Sequence, residues 1–146
     1  MNILGFDYPD SAYFWLSHDM WCEPLESGLV RVGITHFGVH LSGDFYMCRP
    51  KKAGTLLEQG QTLGVVELSK SVVAIKTPVS GEVVEVNPLL EEKPEWVHLE
   101  PHGRGWLVLM RPTRWDQDLR SLHHGAELVA AAEKRMRLEN MRFSDS

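Results

Sequence analysis

The chain has 146 residues, 43% of them apolar and 24% charged, the proportions of a single globular domain with a real core. Its 20 acidic and 15 basic residues leave a net charge of −5, which excludes nucleic acid as the expected partner because phosphate binding needs a basic surface. No apolar run nears the ~20 residues that span a bilayer, and no targeting segment is visible, so no membrane partner and a cytoplasmic location are expected.

Residues 1–28 read as an N-terminal arm and entry segment. The aromatic run Tyr13-Phe14-Trp15-Leu16 argues for an arm packed on the domain, not a free tail. His18 and Cys22 stand four apart, but no second pair at zinc spacing completes a site, so no metal is expected. Residues 29–34 alternate as a strand. Thr35 is placed to cap a short helix over 36–41, ended by Ser42-Gly43, with His36 and His40 solvated on one face. A strand is predicted over 44–48, then a basic loop, Arg49-Pro50-Lys51-Lys52-Ala53-Gly54. Residues 56–61 read as a strand end and turn.

The informative stretch is 65–86. Residues 65–67 and 72–75 are rich in β-branched side chains, which suit a pleated strand. Between them lies Leu68-Ser69-Lys70-Ser71, the length of a four-residue hairpin loop built on a type I turn. Lys70 is then held out in solvent on a four-carbon stem. A second turn is predicted at Pro78-Val79-Ser80-Gly81, with Gly81 supplying φ > 0. Gly64-Val65-Val66-Glu67 is echoed by Gly81 and Val83-Val84-Glu85, as two similar half-sheets would require. Glu67, Glu82 and Glu85 read as strand surface, not as acid–base pairs.

Residues 88–96 read as a turn and a short helix broken by proline, and 106–110 as a closing strand. The tail, 113–146, is predicted as a helical extension: one short helix to Leu122 behind a capping box of Thr113 and Asp116, then an amphipathic helix over 126–138 with apolar residues at 128, 129, 132 and 136, and a frayed end over 141–146. Cys22 and Cys48 form no CxxC motif and read as free thiols, Cys48 as a small buried hydrophobe.

Glu67-x-x-Lys70 followed by Thr77-Pro78-Val79-Ser80-Gly81-Glu82-Val83-Val84-Glu85-Val86-Asn87 resembles the lipoyl-lysine region of the H protein of the glycine cleavage system. His18-Asp19-Met20-Trp21, which has one residue more than that family's early His-x-Trp, resembles a further segment. Val32-Gly33-Ile34-Thr35, Leu41-Ser42-Gly43-Asp44 and Gly103-Arg104-Gly105-Trp106-Leu107 match others in the same order. The resemblance implies a mainly β fold, a barrel-sandwich hybrid of the biotinyl/lipoyl-carrier type with short helices and a C-terminal α-helix, its β domain over 29–112. It implies lipoic acid in amide linkage to Lys70, with Glu67, Ser69 and Ser71 as flanking recognition residues. Biotinyl domains usually flank their lysine with methionine; the two serines here speak against biotin.

A carrier of this kind is not an enzyme. The lysyl-lipoyl arm spans roughly 14 Å, from about eleven bonds advancing ~1.25 Å each. The implied partners of a monomeric carrier are a lipoate ligase, a dihydrolipoyl dehydrogenase and the enzymes of one pathway. The aromatic Asp7-Tyr8-Pro9 opening, Pro50-Lys51-Lys52, Ser42-Gly43-Asp44 and Pro112-Thr113-Arg114-Trp115-Asp116 resemble the lipoate-binding proteins of the sulfur-oxidising heterodisulfide-reductase-like system, which makes sulfur transfer the leading expectation. Shuttling an aminomethyl group in glycine cleavage is the alternative, and an unmodified interaction module is the reading from another class.

Overall fold

The structure, a computed structural model, describes residues 1–144, with the backbone alone for 141–144. In chain order the elements are β1 (Asn2–Ile3), β2 (Phe6–Asp7), β3 (Tyr13–Trp15), β4 (Met20–Pro24), β5 (Val30–Ile34), α1 (His36–Ser42), β6 (Met47–Pro50), β7 (Leu56–Leu57), β8 (Thr62–Glu67), β9 (Val72–Lys76) and β10 (Gly81–Val86). They continue with α2 (Leu89–Glu92), α3 (Glu95–Leu99), β11 (Val108–Pro112), α4 (Trp115–Asp118) and α5 (Leu128–Ser144).

Nine of the strands form two antiparallel sheets, ordered β3-β4-β5-β11-β10-β7 and β6-β8-β9; β1 and β2 make a separate ribbon. The sheets share one core: Cys22, Val32, Val83, Val108 and Met110 from the larger pack with Cys48, Leu63, Val66 and Ile75 from the smaller. This is the barrel-sandwich hybrid that the resemblance implied. Inward positions alternate along most of β8 and β10, as a period of two requires when one face is buried, with one register shift in each strand.

β3 and β4, both before residue 29, belong to the larger sheet. β4 pairs with β5 from Met20↔Ile34 to Pro24↔Val30, so position 28/29 falls inside a hairpin. A second cluster joins this N-terminal region to the tail. Leu128, Ala132 and Met136, four residues apart on α5, are buried with Ile3, Tyr8, Phe14, Leu16, Trp21 and Phe37. Val129, expected on that face, is 37% exposed.

Several expectations are corrected. The strand expected over 44–48 begins at Met47, because Phe45 turns into the core ahead of it. The closing strand runs over Val108–Pro112 and not 106–110. Gly81 does not have positive φ. A β-carbon there would lie 2.2 Å from the Arg111 carbonyl oxygen, so the glycine serves close strand approach. No capping box forms at 113–116: Arg114 is the N-cap of α4 and makes no side-chain cap bond. The short helix divides into α4 and a 3₁₀ turn over Leu119–Ser121. Asp118 is instead buried and accepts the Ser80 N–H at 2.6 Å, tying the tail to the second turn. His36 is half-buried, not solvated: its Nδ1 accepts the Asp7 N–H at 3.0 Å, and Phe6 packs edge-on to both His36 and His40. The helix α5 continues through Ser144, past the expected start of fraying at 141; residues 145 and 146 lie outside the described residues. Thr35 caps α1 as expected, accepting the Gly38 N–H at 3.0 Å.

Candidate functional site: the lysine hairpin

β8 and β9 pair up to Glu67↔Val72, leaving Leu68, Ser69, Lys70 and Ser71 as the loop. The Leu68 N–H donates to the Ser71 carbonyl at 2.8 Å and closes it. Leu68 packs against the main core, which anchors one side of the loop. Ser69, Lys70 and Ser71 are exposed, and Lys70 makes no hydrogen bond or ion pair among the described residues. The amine thus stands at the tip of the hairpin, with no partner competing for it among the described residues. Glu67 is half-buried at the hairpin base, and its carbonyl accepts the Tyr46 N–H at 2.9 Å.

Apolar side chains surround the tip. Tyr46 is 61%, Val72 65% and Val73 43% exposed. The strand β9 is an edge of its sheet, and its first three residues are exposed on both faces. Exposed apolar area of this kind, concentrated around one reactive group, marks a surface that partners cover.

A groove of about 670 Å³ opens beside the hairpin. Leu68, Ser71, Val73 and Ala74 form one wall, Phe45 and Leu41 another, and His18, Asp19, Arg135 and Glu139 its polar end. Arg135 reaches out of α5 to bond Asp19 at 2.7 Å, Glu139 at 2.9 Å and the Leu16 carbonyl at 3.0 Å. Burial pushes the Asp19 carboxyl above its ordinary value, against the opposing bond and charge of Arg135. For Arg135, burial works against the charge, but the bonds from Asp19 and Glu139 outweigh it and hold the guanidinium protonated. Sequence reasoning singled out Lys70, Glu67, Ser69 and Ser71, and the structure brings these together. It missed Tyr46, Asp19 and Arg135. The extra residue in His18-Asp19-Met20-Trp21 was the one signal for Asp19, which sits there in the left-handed region at φ 55. Glu139, one turn along α5, is the only local partner of Arg135 among those described; Asp19 and the Leu16 carbonyl lie 116 and 119 positions away, where no local pattern reaches.

The two cysteines take no part in the tip. Both are free and buried, and burial pushes the Cys48 thiol up to about 12 and Cys22 higher still. Among the described residues no group of three or more His, Cys, Asp or Glu is placed to hold a metal, and no helix is long and apolar enough to cross a membrane. An acyl group in amide linkage suits the site that is present, an unpaired exposed amine beside a partly apolar groove.

Comparison with known proteins agrees. The profile of the family described as Glycine cleavage H-protein matches residues 12–135. A glycine cleavage system H protein of Prochlorococcus marinus is 41% identical over 108 residues, which cover 74% of this chain and 82% of that protein. One from Bacteroides fragilis is 38% identical over 106 residues, 73% of this chain and 82% of the relative. The crystal structure of a glycine cleavage system H protein from Mycobacterium marinum superposes with a TM-score of 0.67 at 31% identity, covering 73% of this chain and 87% of that one.

Proposed function

The chain belongs to the glycine cleavage H-protein family, whose members carry a lipoate covalently on a lysine and are carriers, not catalysts; we propose that in this protein the lysine is Lys70. The observation that carries the proposal is the lone exposed amine at the hairpin tip, free of any partner among the described residues. Glu67, Ser69 and Ser71 are the flanking groups that a lipoate ligase reads, Glu67 held by the strand pairing and the serines presented on the loop. Bound as an amide, the group supplies a redox-active disulfide that takes up and releases cargo.

The protein's own residues present that group. Leu68 and the strand pairing hold the loop rigid. Tyr46, Val72 and Val73 give a partner enzyme apolar area around the lysine. The groove between β9 and α1 offers shelter from water, with Asp19 and Arg135 fixing its polar end. Tethering raises the local concentration of the reactive group at a docked enzyme toward the millimolar range, about what short flexible links give.

Of the two pathways, the comparisons favour glycine cleavage, because the relatives reported above are named for it. The partners are then a decarboxylase that delivers an aminomethyl group, an aminomethyltransferase that removes it, and a dihydrolipoyl dehydrogenase. The sulfur-oxidation reading retains only its sequence features, and none of the relatives reported above is named for it. Restored growth of a glycine cleavage H-protein deletion strain by this chain is the expected result; failure despite full lipoylation returns the sulfur system to first place.

The attachment itself is tested by intact mass after incubation with a lipoate ligase. The wild-type chain gains one lipoyl group. Lys70→Arg keeps the hairpin and the charge but gains none. A Lys70→Arg chain that still gains the lipoyl mass overturns the assignment.

A further inference from the structure

Arg49 and Arg111 hold matching places in the two sheets. Each precedes a proline that faces a glycine of the paired strand, Pro50↔Gly64 and Gly81↔Pro112. In each case the next residue donates its N–H to the residue before that glycine, Lys51 to Leu63 at 2.7 Å and Thr113 to Ser80 at 3.0 Å. The charges, however, are treated differently. Opposite Arg111 stands Glu82, and the two form an ion pair at 2.8 Å. Opposite Arg49 stands Val65, and Arg49 Nε bonds only the Met47 sulfur. Lys51 and Lys52 follow Pro50, and all three cations are exposed without a carboxylate partner among the described residues. Elsewhere Arg31, Arg104, Arg111, Arg135 and Arg137 are each paired within the fold, while Arg114 and Arg120 are exposed without a carboxylate partner among the described residues and line neither the groove beside the hairpin nor the cavity between β6 and α2.

A cavity of about 500 Å³ adjoins these cations. It lies between β6 and α2, with Cys48 and Leu90 buried at its floor and Val86 half-buried beside them. Glu91 is the one carboxylate lining it. We propose that this cavity and the cations Arg49, Lys51 and Lys52 form a docking surface for an acidic segment of a partner protein, which seats an apolar side chain in the cavity. Charge complementarity selects the occupant. In an acidic chain, adjacent cations left without internal partners attract an acidic surface over a Debye length of about 8 Å at physiological salt. The rim charges steer the encounter, while the filled cavity sets how long the complex lasts. The surface shares its sheet with the lysine hairpin: β6 starts at Met47, across from Glu67, and runs away from the hairpin to Pro50, across from Gly64. The proposal stands on the charges and the cavity and does not require Lys70 to be modified.

The test titrates the 15N-labelled full chain with a synthetic peptide of glutamates around a single leucine, followed by amide chemical shifts. Shifts gathered at residues 47–52 and 86–91, weakening with added KCl, support the proposal. Arg49→Glu/Lys51→Glu/Lys52→Glu is expected to lose affinity by about tenfold or more, the equivalent of 1.4 kcal/mol. Arg114→Glu/Arg120→Glu/Lys134→Glu, with the same change in net charge, should retain it. Lys51→Glu/Lys52→Glu, confined to the loop, replaces the triple variant if that one loses its dispersed spectrum. Lys70→Arg should bind as wild type, which separates this result from the attachment site. No shifts, shifts elsewhere, or equal loss in both charge variants overturn the proposal. The same shifts from inorganic phosphate, or a concentration-dependent dimer that covers these residues, overturn it equally.

Discussion

Gly64 and Gly81 are a matched pair, each lying against the backbone of an Arg-Pro step in the strand beside it. A β-carbon would lie 2.5 Å from the Arg49 carbonyl oxygen at Gly64 and 2.2 Å from the Arg111 carbonyl oxygen at Gly81. The obstacles are main-chain atoms of paired strands, which have little freedom to move. Gly81→Ala is therefore expected to destabilise the fold by about 1–3 kcal/mol, as overpacking does, and Gly64→Ala by somewhat less. Urea denaturation of both variants checks the order.

Arg135 is expected to matter more at neutral pH than in acid. Arg135→Met leaves Asp19 half-buried without its cation, at a cost of about 2 kcal/mol for a lost charged hydrogen bond. Burial already raises the folded Asp19 pKa, and loss of Arg135 removes what opposed that rise. A raised folded pKa means the native state binds the proton more tightly than the unfolded chain. The penalty is thus full above the folded pKa and shrinks as pH falls through it toward the unfolded value. Unfolding free energies of wild type and variant at pH 7 and pH 4 should converge; a constant gap contradicts the argument.

His102 predicts a loss of stability in the opposite sense. Burial, aided by the neighbouring His36, lowers its pKa to about 3, while Nε2 accepts the His36 N–H at 3.2 Å. The unfolded chain then binds a proton near 6.5 that the folded chain refuses. Stability should decline as pH falls from about 6.5 toward 3, by up to about 1.4 kcal/mol per unit, the value of one proton. His102→Gln should flatten that limb of the profile, measured by urea unfolding at successive pH values.

Both cysteines should be silent in the native protein. With their thiols buried and held far from ionisation, neither presents the thiolate that alkylation needs. Iodoacetamide at pH 8 is expected to label neither Cys22 nor Cys48 until denaturant is added, and then both. Rapid native labelling of Cys48 would contradict its burial.

What could be read without coordinates was local. Alternating β-branched residues around Leu68-Ser69-Lys70-Ser71 determined a hairpin with its lysine outward, because strand period and loop length are properties of neighbouring residues. Thr35 before a short helix and the echo of Gly64 in Gly81 were legible for the same reason. Tertiary structure alone decided the rest. The capping box expected of Thr113 and Asp116 does not form, and Asp118 at the end of α4 bonds the Ser80 N–H, 38 positions away, because a buried N–H needs a partner that water cannot supply. Arg135 reached Asp19 across 116 positions, and Arg49 was left unpaired where Arg111 was not, because the strand register set Val65 against one and Glu82 against the other. Periodicity fixes which face a side chain takes; which partner waits there depends on how distant segments close on one another.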